Sequence, residues 1–191
     1  ERLLRIAPHI VRPMQFILPH VPGLRPRWQI RFGLFFYDYF SGRRTLQPSR
    51  SVRVGSGSYG ALRPGIDHAF SYSDCWVDDS RLVVLNAMDA AQRGASIHTR
   101  TRFVSAANEN GLWHARCVRQ GSGESLEIRA RAIVNAAGPW VEQVLKSFPA
   151  AQVAGSVRLV KGSHIVVPRL FAGKHAFMLQ NPDGRIVFAI P

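Results

Sequence analysis

Acidic residues, lysine and cysteine are all scarce in this chain, and so are long apolar runs. Among 191 residues, 12 acidic side chains face 25 basic ones, and of the basic set only Lys146, Lys161 and Lys174 are not arginine. A formal charge of +13 attracts polyanions without sequence-specific contacts, but the arginine bias reads as genomic base composition as much as selection for guanidinium chemistry. The two cysteines, Cys75 and Cys117, lie far apart, with neither a CxxC spacing nor a histidine cluster nearby. Neither a zinc site nor a disulfide framework is indicated, and a reducing, cytoplasmic setting is the default expectation. His9, His20, His68, His98, His114 and His175 show no metal-ligand spacing and read as surface or packing residues, so no metal is expected. No apolar run reaches the roughly 20 residues of a spanning helix, and the opening ERLLRIAPHI lacks a secretion-signal pattern. What the chain does have is 46% hydrophobic residues, enough to build a core rather than stay disordered.

Charge and turn formers organise what remains. Residues 1–53 hold ten arginines against Glu1 and Asp38, while the rest is close to balanced. Glu1–His20 reads as a helix end followed by Pro13 and Pro19, which break regular structure and favour extended connections. In RWQIRFGLFFYDYF (27–40), helical spacing puts Trp28, Phe32, Phe35 and Phe36 near one face of a short amphipathic helix. Residues 41–65, rich in Gly, Ser, Arg and Pro, read as loop with one short strand near Ser51–Val54. Ala69–Val77 alternates like a half-buried strand. Asp79 suits the N-cap of a helix over Ser80–Arg93, with Gly94 as its stop. That helix is apolar around most of its circumference and is expected to be buried between layers.

Three β-like stretches follow, Ser96–Ser105, Leu112–Arg119 and Ser125–Asn135, separated by the turn formers of 108–111 and 121–123. The last runs into Asn135-Ala136-Ala137-Gly138, with Pro139 at the first helical position and Val141, Val144, Leu145 and Phe148 at helical spacing behind it. A strand that ends in AAG and opens a helix offers unhindered backbone amides and a positive dipole end, which suits a phosphate or a polarised ring. Small residues are needed there because a larger side chain would hold a ligand off the backbone. An ordinary tight turn would read the same way. The tail suggests strands at Val157–Val167, Ala176–Leu179 and Ile186–Ile190. The first residue is Glu and the last stretch, 184–191, is an apolar β-like run, so both ends read as cut.

The blocks SYSDCWVDDSRLV (71–83), NENGLW (108–113), VNAAGPWV (134–141), VKGSHIVVP (160–168) and the ending RIVFAIP resemble the FAD-dependent glycerol-3-phosphate dehydrogenases of bacterial respiratory chains. The likeness runs through essentially the whole chain, as an internal segment that lacks both the family's GxGxxG loop and its later basic residues. It implies an α/β fold, α+β overall: a partial glutathione-reductase-type FAD-binding Rossmann domain with a β-meander, plus part of a mixed-sheet substrate-binding domain. The expected division is 1–76 as cap or substrate-domain portion with the basic aromatic segment, 77–148 as the later part of the FAD-binding domain, and 149–191 as a return to the substrate-domain sheet. FAD is the implied cofactor, glycerol 3-phosphate the substrate and quinone the electron acceptor. An anionic membrane surface is the implied partner at Trp28–Phe40 with Arg25, Arg27 and Arg31. The implied location is cytoplasmic, peripheral to the inner face of the membrane, with a homodimer kept among the expected assemblies.

Carried onto single residues, the resemblance puts Phe103 or Val104 near adenine, where plain strand packing is the alternative. Ala136, Ala137 and Gly138 match the turn beside the flavin and its pyrophosphate chain, and Trp140 is either a flavin-side wall or a core aromatic. His164 is the expected base for the substrate hydroxyl, since an imidazole suits that role near pH 7; a structural histidine is the alternative. Lys161 and Ser163 are expected to orient the polar end of the substrate, against the reading of a solvated lysine on a strand. Asp74, Asp78, Asp79 and Arg81 read as a structural cluster, with Arg81 pairing a carboxylate. Two rival functions stay open: a related oxidase that uses oxygen, and a basic non-enzymatic nucleic-acid-binding module. The second lacks any recognised fold signature, and no nucleic-acid partner is expected.

Overall fold

The computed structural model describes residues 1–40, 45–55, 59, 62–148 and 157–191. Parts of the expected 41–65 loop and residues 149–156 of the last expected segment lie outside these. The chain divides into one unit of residues 1–88 and 166–191 and another of residues 89–165.

The first unit is built on a five-stranded mixed sheet. Its strands are β1 (Val11–Pro19), β2 (Arg50–Arg53), β3 (His68–Val77), β7 (Ala176–Gln180) and β8 (Ile186–Ala189), in the order β2-β3-β1-β7-β8. β1 pairs antiparallel with β3 along its whole length, from Val11↔Val77 to Pro19↔Ala69. Its parallel pairing with β7 covers only Phe16↔Ala176 and Ile17↔Phe177. The prolines therefore do not break regular structure. Pro13 sits where β1 has no second neighbour among the described residues and Pro19 ends the strand, the two settings in which a missing N–H is tolerated. Alternation along the strands sends Ile17, Ala69 and Phe177 into one buried cluster, with Val52, Leu62 and Phe171 packed on it. On the opposite face Phe16 stacks on Tyr72 at 5.4 Å. The Tyr72 hydroxyl donates to Met178 Sδ at 3.2 Å, and burial, with Asp74 nearby, pushes its pKa up to about 12.

Helix α1 (Arg2–Ile6) leads into a second cluster of Ala7, Ile10 and Val11, on which Leu82 and Leu85 of α3 (Asp79–Gln92) pack. The cap of α3 lies one residue earlier than expected. Asp78 Oδ1 accepts the Arg81 backbone N–H at 3.1 Å and its carbonyl accepts Leu82 N–H. Asp78 thus takes the backbone of Arg81 rather than its guanidinium. At the far end Gly94 has φ +94° and the Ala95 N–H reaches the Ala90 carbonyl at 3.0 Å, a Schellman closure that glycine allows. The helix is not buried between layers. Only its Leu82/Leu85 side meets a cluster, while Val83, Val84 and Met88 are more than half exposed.

Helix α2 (Arg27–Phe40) carries the expected aromatic face: Trp28, Phe32, Phe35 and Phe36 are exposed, and so are Tyr39 and Phe40. Its other side is fastened to the sheet unit by polar groups. Arg31 Nη1 donates to Ser49 Oγ at 2.7 Å, and the Ser49 hydroxyl and backbone N–H both donate to Asp38 Oδ2 at 2.6 and 2.8 Å. Ser49 is buried.

The second unit contains an antiparallel meander of β4 (Thr101–Glu109), β5 (Leu112–Arg119) and β6 (Ser125–Ala130). Asn110 and Gly111 form its first turn, both with positive φ, as a two-residue hairpin that follows strand twist requires. β4 starts and ends later than expected, because Asn108 and Glu109 stay in register with Trp113 and Leu112. β6 stops at Ala130, so Ala132-Ile133-Val134 is not a strand, and the expected strand Val157–Val167 has no regular structure either. A parallel or central strand needs a neighbour to take its N–H and C=O groups, and none pairs with these stretches among the described residues. A 3-10 turn (Gly138–Trp140) leads into α4 (Val141–Leu145).

Candidate functional site

The residues expected to serve a cofactor or substrate all lie in the second unit. Phe103 is half-buried in β4 and packs against Phe148 at 5.4 Å, with Trp113 meeting the same ring edge-on at 5.5 Å. The β4–β5 register shifts between Phe103 and Ser105, so Val104 is the bulged residue and has no partner in the ladder. Among the described residues β4 is also an edge strand. A bulge on an edge frees main-chain donors and acceptors for something other than the sheet.

The turn 136–140 is held from inside by Asn135. Its Nδ2 donates to the Val141 carbonyl at 2.9 Å, and its Oδ1 accepts the Ala137 N–H at 3.3 Å. Sequence reasoning passed over this residue, although an asparagine two positions before a turn amide is a recognisable signal. Gly138 adopts φ +54°, and a methyl placed on it would meet nothing within 4 Å. The backbone needs glycine for its conformation, and the space beside it is open. Trp140 is 65% exposed, so it is not a core aromatic among the described residues. Because the 3-10 turn and α4 together are so short, aligned peptide dipoles contribute little; the Ala137 N–H is already taken by Asn135, and the favourable feature is the open space beside Gly138.

Lys161, Ser163 and His164 are exposed, in an extended segment without regular structure. Among the described residues none of the three side chains makes a hydrogen bond or ring contact, and none joins the 136–140 turn. The segment starts beside α4, where Glu142 Oε2 accepts the Val157 N–H at 3.4 Å. The same carboxylate pairs with Lys146 at 2.7 Å, and these contacts, the lysine first, hold it below the usual carboxylate range. Among the described residues the arrangement thus brings a fitted turn and a bulged edge strand into one unit and leaves the expected base without a contact. The open approach to Gly138 and the unladdered backbone of Val104 fit a ligand with a phosphate chain and a flat heteroaromatic end.

The model of one family, described as FAD dependent oxidoreductase, matches residues 1–191. The chain belongs to this family. Over its full length it is 53% identical to a glycerol-3-phosphate dehydrogenase of Pseudomonas tolaasii and 49% identical to the aerobic glycerol-3-phosphate dehydrogenase of Escherichia coli. It is 48% identical to a D-erythritol 1-phosphate dehydrogenase of Brucella abortus. It spans only 37–38% of the length of these relatives. Among solved structures it resembles a glycerol-3-phosphate dehydrogenase of Bacillus halodurans complexed with FAD, with a TM-score of 0.59 at 18% identity, covering 99% of this chain and 34% of that one. The family member thus has the expected mixed α/β fold, with one mixed and one antiparallel sheet.

Proposed function

We propose that the protein carrying this chain oxidises sn-glycerol 3-phosphate to dihydroxyacetone phosphate with FAD as hydride acceptor. The observation that carries the reading is the family match over all 191 residues, joined to about 50% identity with glycerol-3-phosphate dehydrogenases. Ala136, Ala137 and Gly138 would hold the cofactor's phosphate chain close to the backbone, Phe103 and Val104 would lie by its adenine, and Trp140 would wall the flavin side. FAD, when bound, supplies the two-electron acceptor for the substrate C–H bond. His164 takes the proton of the secondary hydroxyl, and Lys161 and Ser163 orient the polar end of the substrate. The D-erythritol 1-phosphate dehydrogenase among the relatives supports a second reading, a longer phosphorylated polyol as substrate. The deciding experiment is the visible spectrum of the whole protein under anaerobic addition of each polyol phosphate. Bleaching by glycerol 3-phosphate but not glycerol supports the first reading, bleaching by erythritol phosphate alone supports the second, and an indifferent flavin refutes both.

The electron acceptor we infer is a quinone, reached from a peripheral position on an anionic membrane at the cytoplasmic side. The exposed aromatic face of α2 supports this, with Arg25 and Arg27 beside it and no helix among the described residues long and apolar enough to cross a membrane. Arg31, expected to meet lipid, is exposed and also donates to Ser49, so it holds the helix as well. Replacing Trp28, Phe32 and Phe35 together with serine should abolish co-sedimentation with anionic vesicles; unchanged sedimentation would overturn the assignment. Rapid oxygen consumption with peroxide release would favour an oxidase instead.

A further inference from the structure

The sheet face that carries Ile17 also bears a group of side chains that none of the chemistry above uses. Alternation along β1 puts Pro13, Gln15 and Ile17 on one face, and the pairing Ile17↔Phe177 puts His175 and Phe177 there too. Residues 171–175 fold back over this face. His175 is only 7% exposed, its ring stacked on Phe171 at 5.1 Å and set edge-on to Tyr59 and Phe177 at 5.1 and 4.9 Å. The turn that delivers it depends on Gly173, which has φ +112° and where a Cβ would stand 2.8 Å from His175 Nδ1. His175 Nε2 is buried without a hydrogen-bond partner among the described residues.

Beside this ring lies a cavity of about 390 Å³ lined by Pro13, Gln15, Tyr59, Gly173, Lys174 and His175. That volume falls within the range of small-molecule sites. Its chemistry is one-sided: among the described residues Lys174 is the one charged group in the lining and no carboxylate borders it, while Gln15 and Tyr59 add an amide and a hydroxyl donor. A cation would be repelled by the lysine, and an apolar ligand would strip water from the polar ends of Lys174, Gln15 and Tyr59 without replacing it.

We propose that this cavity binds a small oxyanion, with Lys174 as counter-charge, Gln15 and Tyr59 as neutral donors and the caged imidazole of His175 as its floor. Free phosphate and a phosphate monoester share this chemistry. The three surrounding rings seal Nε2 from solvent, so Lys174, Gln15 and Tyr59 make the contacts while the histidine lies close enough to sense them. The site shares no residue with those assigned above to flavin or hydride transfer, so it stands or falls separately.

The test uses inorganic phosphate and the whole protein with selectively labelled histidine, followed by NMR, the His175 ring signal being the one lost in His175→Phe. The expected result is a saturable shift of that signal with phosphate, which sodium chloride at equal ionic strength does not reproduce. Removing a charge-assisted contact in Lys174→Ala should weaken binding about tenfold or more, and Gln15→Leu should weaken it less. Lys174 is exposed and Gln15 half-buried, and leucine keeps the size of the glutamine side chain, so both variants should stay folded; His164→Gln should leave the curve unchanged. Glycerol 3-phosphate with the same dependence on Lys174 would mark a monoester site; phosphate alone would mark a site for the free anion. A signal that does not move, a shift that chloride reproduces, or an equal curve in Lys174→Ala would overturn the proposal.

Discussion

Gly138 offers a test in which two substitutions, to alanine and to asparagine, rank one way for stability and the other way for cofactor affinity. Its φ of +54° lies in the left-handed region, and nothing stands within 4 Å of where a Cβ would be. Gly138→Ala therefore costs backbone strain alone, about 1–2 kcal/mol, with no clash in the cofactor-free protein. Gly138→Asn should cost less, because asparagine tolerates this region better than alanine. Stability should thus run Gly above Asn above Ala. If the open space is where the phosphate chain of FAD lies, its affinity should run differently. The alanine methyl fills part of that space and the asparagine carboxamide fills more. Overfilling a packed site costs about 1–3 kcal/mol, so asparagine should bind FAD on the order of tenfold to a hundredfold more weakly than glycine, and alanine should fall between.

The two orders are measured separately. Urea unfolding of cofactor-free protein gives stability without the mass-action contribution of bound ligand, and quenching of flavin fluorescence on reconstitution gives affinity. If FAD affinity simply followed stability, or if asparagine bound FAD better than alanine, the space beside Gly138 would not belong to the cofactor. The turn would then be a strand-to-helix connection and nothing more.

Three further outcomes follow from the geometry. Burial holds the His175 imidazole below its ordinary value of 6.5, so the unfolded chain takes up a proton first as pH falls; stability should be full above about pH 6.5 and decline below it, by at most about 1.4 kcal/mol per pH unit. His175→Phe should remove that decline in urea midpoints measured between pH 7.5 and 5.5, and an equal slope would refute it. Ser49→Ala removes the hydroxyl that accepts from Arg31 and donates to Asp38, at a cost of roughly 1–3 kcal/mol; hydrogen exchange should speed up across 27–40 while β3 stays protected. Gly111→Ala, at φ +82° in the first hairpin turn, should cost about 1–2 kcal/mol by thermal unfolding without altering flavin binding.

The parts legible in the sequence were those whose cause is local. Asn110-Gly111 announces a hairpin because both positions need positive φ, and Gly94 announces a helix stop for the same reason. The aromatic face of α2 needs only helical spacing, so Trp28, Phe32 and Phe35 could be grouped before any packing was known. The cap of α3 shows the limit of that logic. Asp78 and Asp79 are chemically alike, and only where the Arg81 N–H points decides between them. At the candidate site, the need for a small residue at Gly138 was readable, while the clamp by Asn135 was overlooked although its signal was present.

Errors cluster where structure is a relation between distant segments. Val11–Pro19 carries two prolines and reads as broken, yet nine consecutive partners from Val77 to Ala69 make it a strand. Ala132-Ile133-Val134 and residues 157–165 have strand composition without a ladder partner among the described residues, and a lone extended segment gains nothing from that composition. The same asymmetry explains the histidines. His164 stands in a motif that resembles a family and makes no side-chain hydrogen bond or ring contact among the described residues, whereas His175 stands in no motif and is caged by three rings that come from residues 59, 171 and 177. A motif states what a residue can do chemically; only the packing around it states what it is placed to do. For that reason the two histidines call for different experiments: substrate turnover for the exposed one, and ligand and proton titration for the buried one.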